Sequence, residues 1–121
     1  MIRAYKLYTG ADGDSHVISG SIVDNEVIGA ESILYEESPL HASLDWHNAP
    51  TTQYVITLSG ILEFVTRGGE KFTINPGDVL VALDTKGSGH KWRLTNDQPW
   101  KRAYVAFKEG TKISFRADDQ H

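Results

Sequence analysis

The chain of 121 residues contains no cysteine. Disulfides, thiolate nucleophiles and cysteine metal ligands are excluded together, so any ligand or catalyst must be a His, carboxylate, hydroxyl or amide group. Basic residues are few as well: 12 Lys and Arg stand against 16 Asp and Glu, for a formal charge of −4. The densest basic places, "GEKF", "GHKWR" and "WKRAY", form no stripe that would neutralise a phosphate backbone, and no nucleic acid is expected as a partner. No hydrophobic run reaches the length that crosses a bilayer, and "MIRAYKLYTG" lacks the apolar core of a signal peptide; the expectation is a cytoplasmic protein with no membrane partner. Helical periodicity is also missing, with no stretch of standard helix length. The length leaves room for one hydrophobic core, so residues 1–121 read as a single domain.

What the chain does have is period two. "SHVISGSIV", "SILYEE", "TQYVITLSG", "ILEFVTR", "EKFTI", "DVLVAL", "HKWRLT", "RAYVAF" and "KISFRA" are short and rich in β-branched or aromatic residues, the signature of strands. Between them lie turn residues, among them "TGADGD", "RGG", "NPGD", "KGSG" and "NDQP". Short strands at this spacing predict an all-β sandwich or barrel. "RGGE" predicts a tight hairpin in which Gly68 and Gly69 are both free to take positive φ. In "INPGDVL", Pro76 followed by Gly77 predicts a type II turn launching the next strand. The tail "RADDQH" is polar and expected to fray.

The order of these pieces, a His-bearing strand ending in Gly60, a short hairpin, "PGDVLVAL", a glycine loop and "GH", resembles a small bacterial cupin over residues 30–107. That resemblance implies a cupin-type double-stranded β-helix, or jelly-roll barrel, with a strand near residues 15–23 packing on the barrel. It also implies a barrel pocket for a small-molecule ligand, and a homodimer. The family's first motif places two His and a Glu between two Gly. Here His47 matches the first His, while Ala49 stands at the second, Gln53 at the Glu, Gly60 at the closing Gly and His41 at the opening one. In the second motif Gly77, Gly87 and His90 match, Thr85 replaces a Pro, Leu94 replaces an Asn, and the loop is longer by two residues.

Alternation places His47, Ala49, Thr51 and Gln53 on one face, followed by Val55 and Thr57. Tyr54, Ile56 and Leu58 then form an apolar opposite face that another segment of the chain or a second subunit must cover. His90, Trp92 and Leu94 share the face that the resemblance turns inward. Trp92 there either floors a pocket, stacking on a sugar or other planar ligand, or packs as ordinary core. His16 is either a third imidazole at the pocket mouth or a surface residue, and Tyr104 is a further candidate for the ligand-facing wall. His41 and His121 carry no functional expectation.

Transition metals favour at least three strong protein donors. The matched positions supply His47, His90 and the neutral amide of Gln53, so one divalent metal ion on these residues is a secondary expectation that requires His16 or Asp84 as a further ligand. Three functions stay open. The first is an isomerase, epimerase, dehydratase or lyase acting on a sugar or small carbonyl compound, with His47 and His90 as acid and base and Gln53 orienting them. The second is a non-catalytic small-ligand-binding module, with His16, Asp84, Trp92 and Tyr104 as candidate ligand contacts. The third is a metal-dependent dioxygenase or lyase with a non-standard ligand set.

Overall fold

Alternation of large apolar and polar side chains requires each sheet to bury one face, and two sheets satisfy this by facing each other. The computed structural model describes residues 1–118. Its strands are β1 (Ile2–Thr9), β2 (Ser15–Ile22), β3 (Ser32–Ser38), β4 (Ser43–His47), β5 (Gln53–Ser59), β6 (Leu62–Thr66), β7 (Lys71–Ile74), β8 (Val79–Ala82), β9 (His90–Leu94), β10 (Trp100–Ala106) and β11 (Arg116–Ala117). They form a seven-stranded sheet in the order β11-β2-β1-β8-β5-β10-β3 and a four-stranded sheet in the order β4-β9-β6-β7. The all-β expectation holds at this level, as a two-sheet β-sandwich. Among the described residues no helix is long and apolar enough to cross a membrane.

The main core lies between the sheets. Leu7, Val55, Leu80 and Trp100 from the large sheet meet Leu62, Phe64, Phe72, Ile74, Trp92 and Leu94 from the small one. Phe72 stacks on both Phe64 and Tyr5. A second cluster covers the outer face of the large sheet, where Ala4, Tyr54, Val79, Val81 and Phe107 pack with Ile28, Ile56, Ile113 and Phe115. Tyr54 fixes this cover: its hydroxyl donates to the Ser114 carbonyl at 3.1 Å and accepts from the Ser114 amide at 3.0 Å. At Tyr54 and Ile56 the cover is thus the chain itself, while Leu58 remains 55% exposed.

Two strands that the pattern did not single out are present, and one expected strand is much shorter. The opening residues form β1, which pairs antiparallel with β2 and parallel with β8 and so lies inside the large sheet. "SLDWH" forms β4, whereas of "KISFRA" only Arg116 and Ala117 are strand. The last three residues, including His121, lie outside the described residues. Both turns form as expected in outline. Gly77 has φ of 91° and Asp78 N–H donates to the Asn75 carbonyl at 3.0 Å, as a type II turn requires. In the β6–β7 hairpin Gly69 takes φ of 93°, but Gly68 does not take a positive one.

Candidate functional site

His47 and Gln53 do not share a strand. His47 closes β4 in the small sheet and Gln53 opens β5 in the large one, with "NAPTT" crossing between sheets. Both nevertheless line one cavity of about 570 Å³, because the crossover brings them to it from different sheets rather than from alternate positions of one strand. His90 opens β9, and its backbone is paired with that of His47 in the β4–β9 register. The two rings meet edge-on with centroids 4.4 Å apart. Gly89 permits this approach: it has φ of 99°, and a Cβ there would sit 3.0 Å from the His47 carbonyl oxygen.

Each imidazole is held through Nδ1. His47 Nδ1 donates to the Asp45 carbonyl at 2.8 Å. His90 Nδ1 donates to Asp84 Oδ2 at 2.6 Å. With Nδ1 carrying the proton in both rings, Nε2 is left as the nitrogen without a protein partner among the described residues. Burial, with the neighbouring His90 adding to it, holds His47 below the usual imidazole range, partly opposed by the Asp45 carbonyl and the Asp84 carboxylate.

Asp84 is fully buried and does not line the cavity, which corrects its assignment as a ligand contact. It stands behind His90, and its Oδ2 also accepts from the Ser15 hydroxyl at 3.0 Å; Ser15 Oγ in turn accepts from Gly89 N–H at 3.0 Å. Gly87 is needed for this arrangement, since a Cβ there would collide with the Ser15 hydroxyl. Asn48 ties the same loop to β4 by donating to the carbonyls of Asp84 and Gly87. Asp84 Oδ1 is buried without a hydrogen-bond partner among the described residues.

His16 is placed away from the cavity. Its two ring nitrogens are each 2.8 Å from a carboxylate oxygen, Nδ1 from Glu70 and Nε2 from Asp12, so it clamps the β1–β2 loop to the β6–β7 hairpin. Trp92 and Tyr104 do line the cavity. Trp92 is at the same time core, with only 8% exposed and its ring edge-on to Trp100 at 4.5 Å. Gln53, 7% exposed, lines the cavity and makes no side-chain hydrogen bond among the described residues. The donors do not fit a transition metal: no cluster of three His or acidic residues suited to a metal occurs among the described residues. Asp84 is spent on His90 Nδ1 and His16 on its own carboxylates.

Sequence reasoning missed Arg102. It lines the cavity at 4% exposure, with its guanidinium 3.9 Å from the centre of the Trp100 ring. The signal was present, since Trp100, Arg102, Tyr104 and Ala106 alternate along β10 and all four reach the cavity.

Together these features define a two-sheet β-sandwich with a cavity of small-molecule size, walled by Trp and Phe and carrying two imidazoles, an amide and an arginine. No family model matches the chain. Over 62 residues it is 36% identical to "Oryzines biosynthesis cluster protein J" of Aspergillus oryzae, an alignment covering 50% of this chain and 33% of that protein. Over 82 residues it is 30% identical to flagellin B1 of Methanocaldococcus jannaschii, covering 68% of this chain and 35% of that protein. The chain thus spans about a third of the length of these curated relatives, and their two names share no activity.

Proposed function

We propose that the chain is a cupin-type jelly-roll barrel whose cavity binds a small molecule and performs metal-free acid–base chemistry on it through His47 and His90. The reaction class is isomerase, epimerase, dehydratase or lyase, on a sugar or small carbonyl compound. The observation that carries this reading is the pair of cavity-lining imidazoles, with centroids 4.4 Å apart, each with Nδ1 tied and, among the described residues, Nε2 without a protein partner. His47, kept neutral by burial, takes a proton from carbon next to a carbonyl. His90, which must first take a proton from solvent on Nε2, returns that proton to the neighbouring carbon, while Asp84 behind it holds the ring through Nδ1. Gln53 holds the carbonyl or hydroxyl oxygen without titrating.

The apolar walls, Phe64, Trp92 and Trp100, favour the second reading of a non-catalytic binding module, which shares the same cavity. Proton NMR in D2O over a panel of ketoses, aldoses and keto acids separates the two. Catalysis predicts deuterium incorporation beside a carbonyl that disappears in His47→Ala and His90→Ala. Exchange that survives the double variant would remove the acid–base assignment, and ligand-induced shifts without exchange would leave the binding module. We further propose a homodimer in which two copies pair along β3, whose outer edge has no partner strand among the described residues.

A further inference from the structure

Arg102 is an expensive residue to place between two sheets, because a buried cation must be paired and its donors filled. Four of its five N–H groups have protein acceptors. Nε donates to the Tyr104 hydroxyl at 3.1 Å, Nη1 to Ser38 Oγ at 2.7 Å and to the Trp100 carbonyl at 3.1 Å, and Nη2 to Glu36 Oε2 at 3.0 Å. Among the described residues one Nη2 proton is left over. The β5–β10 register shifts between Lys101 and Arg102, an irregularity of the kind that re-aims a side chain. Its one counter-charge among the described residues is exposed: Glu36 lies on β3, every residue of which has solvent access, and its side chain is 48% exposed against 5% for Arg102. Only one Glu36 oxygen is engaged, so the bidentate fork that guanidinium offers is not used.

We propose that Arg102 is an anion subsite of the cavity and that the ligand carries a carboxylate, which takes over the position of the Glu36 oxygen and the unused Nη2 proton. This deepens the proposed function and rests on its cavity reading. The ligand class is a small organic acid with an apolar or planar body, since Trp100 lies against Arg102 and Phe64 against both Trp100 and His90, with Trp92 beside Trp100, and all line the cavity. A carboxylate fits better than a multiply charged anion because Glu36 already marks a single carboxylate-oxygen position and the remaining walls are mostly apolar.

The test compares benzoate with benzamide, equal in shape but not in charge, by calorimetry on the full chain. Wild type is expected to bind benzoate about tenfold more tightly, the gain of a charge-assisted over a neutral hydrogen bond. Glu36→Gln, which keeps an acceptor for Nη2 but removes the competing charge, is expected to widen that ratio. Arg102→Lys, checked for folding by near-UV circular dichroism, is expected to narrow it by losing the fork. Equal binding of the two probes, or a ratio that Glu36→Gln narrows, overturns the subsite and leaves the cavity reading standing. Failure of both probes to bind overturns the cavity reading and the subsite with it.

Discussion

Asp84 Oδ2 lies 2.6 Å from His90 Nδ1 with both side chains buried, so a cavity-facing imidazole is anchored by a carboxylate that does not itself reach the cavity. The anchor draws on three parts of the chain: the loop after β8, the start of β9 and, through Ser15, the start of β2. It fixes the ring orientation and the proton position together. The pair also places a charge in the interior, which makes it sensitive to loss of either member.

Asp84→Asn keeps the shape and removes the charge. It is expected to lower stability by about 2–3 kcal/mol, the worth of hydrogen bonds to a buried charged group. Ser15→Ala strands the Gly89 N–H and removes one donor from Asp84, and about 1–2 kcal/mol is expected there. Urea denaturation measures both. In the Asp84→Asn protein, nitrogen NMR of His90 should also show a mixture of tautomers in place of a single Nδ1–H form. An Asp84→Asn variant as stable as wild type, with one His90 tautomer, would dissociate the carboxylate from the orientation of the ring.

Strand identity and most turns were legible because they depend on local pattern. The alternation in "HKWRL" alone puts His90, Trp92 and Leu94 on the buried face of β9. What local pattern does not carry is which sheet a segment joins. β1 went unread because Arg3 and Lys6 dilute its apolar content, while its place in the sheet is set by long-range pairing with β8. The role of Asp84 was hidden for the same reason. It depends on Ser15, 69 positions away in sequence, and on a loop path with no periodicity. His47 and Gln53 both line the cavity, but the parity argument connecting them does not apply across two sheets.

Two histidines give stability opposite dependences on pH. Hydrogen bonds to Asp12 and Glu70 raise His16 above its ordinary 6.5. The folded state therefore binds the extra proton, and the clamp contributes fully below pH 6.5 and is lost as pH rises through the raised value. Asp12, lowered from 3.8 by the Asp14 backbone amide and by His16, keeps its charge through mildly acidic pH. His47 is lowered by burial, so the unfolded chain binds more protons just below 6.5 and the folded state loses stability as pH falls through that range. Urea midpoints of wild type and His16→Gln should differ more below pH 6.5 than well above it. For His47→Gln the difference from wild type should run the other way, and parallel curves for all three proteins would refute both assignments.

His41 occupies the third position of a turn in which Ala42 N–H donates to the Pro39 carbonyl at 3.2 Å, and its φ is 64°. That left-handed conformation favours glycine. Its side chain is exposed and its contact with Asp97 is 3.9 Å long, so little offsets the strain. His41→Gly is expected to raise stability by up to about 1 kcal/mol, the relief of strain less the entropy of glycine in the unfolded chain. His41→Val should lower it by about 1–2 kcal/mol, since a β-branched residue tolerates positive φ poorly. Thermal denaturation orders the three proteins, and a valine variant more stable than the glycine one would contradict the turn assignment.

Edge strands are ordinarily blunted by lysine, proline or a covering segment, and β3 has none of these within Ser32–Ser38. Ile33, Leu34 and Tyr35 are 60%, 55% and 70% exposed, so both faces of the strand present apolar surface to solvent. Antiparallel pairing of two copies about Tyr35 would set Ile33 against the second copy's Glu37 and Leu34 against its Glu36, with no like charges directly opposed. It would also extend the cavity wall, because Ser32, Leu34 and Glu36 already line the cavity. Sedimentation velocity at micromolar concentration is expected to give twice the mass of one chain. Tyr35→Lys would set two ammonium groups against each other on the symmetry axis and should yield a folded monomer, whereas Leu58→Lys, on a different strand, should leave the dimer intact. A wild-type monomer, or a Tyr35→Lys protein that remains dimeric, would show that β3 is not the interface.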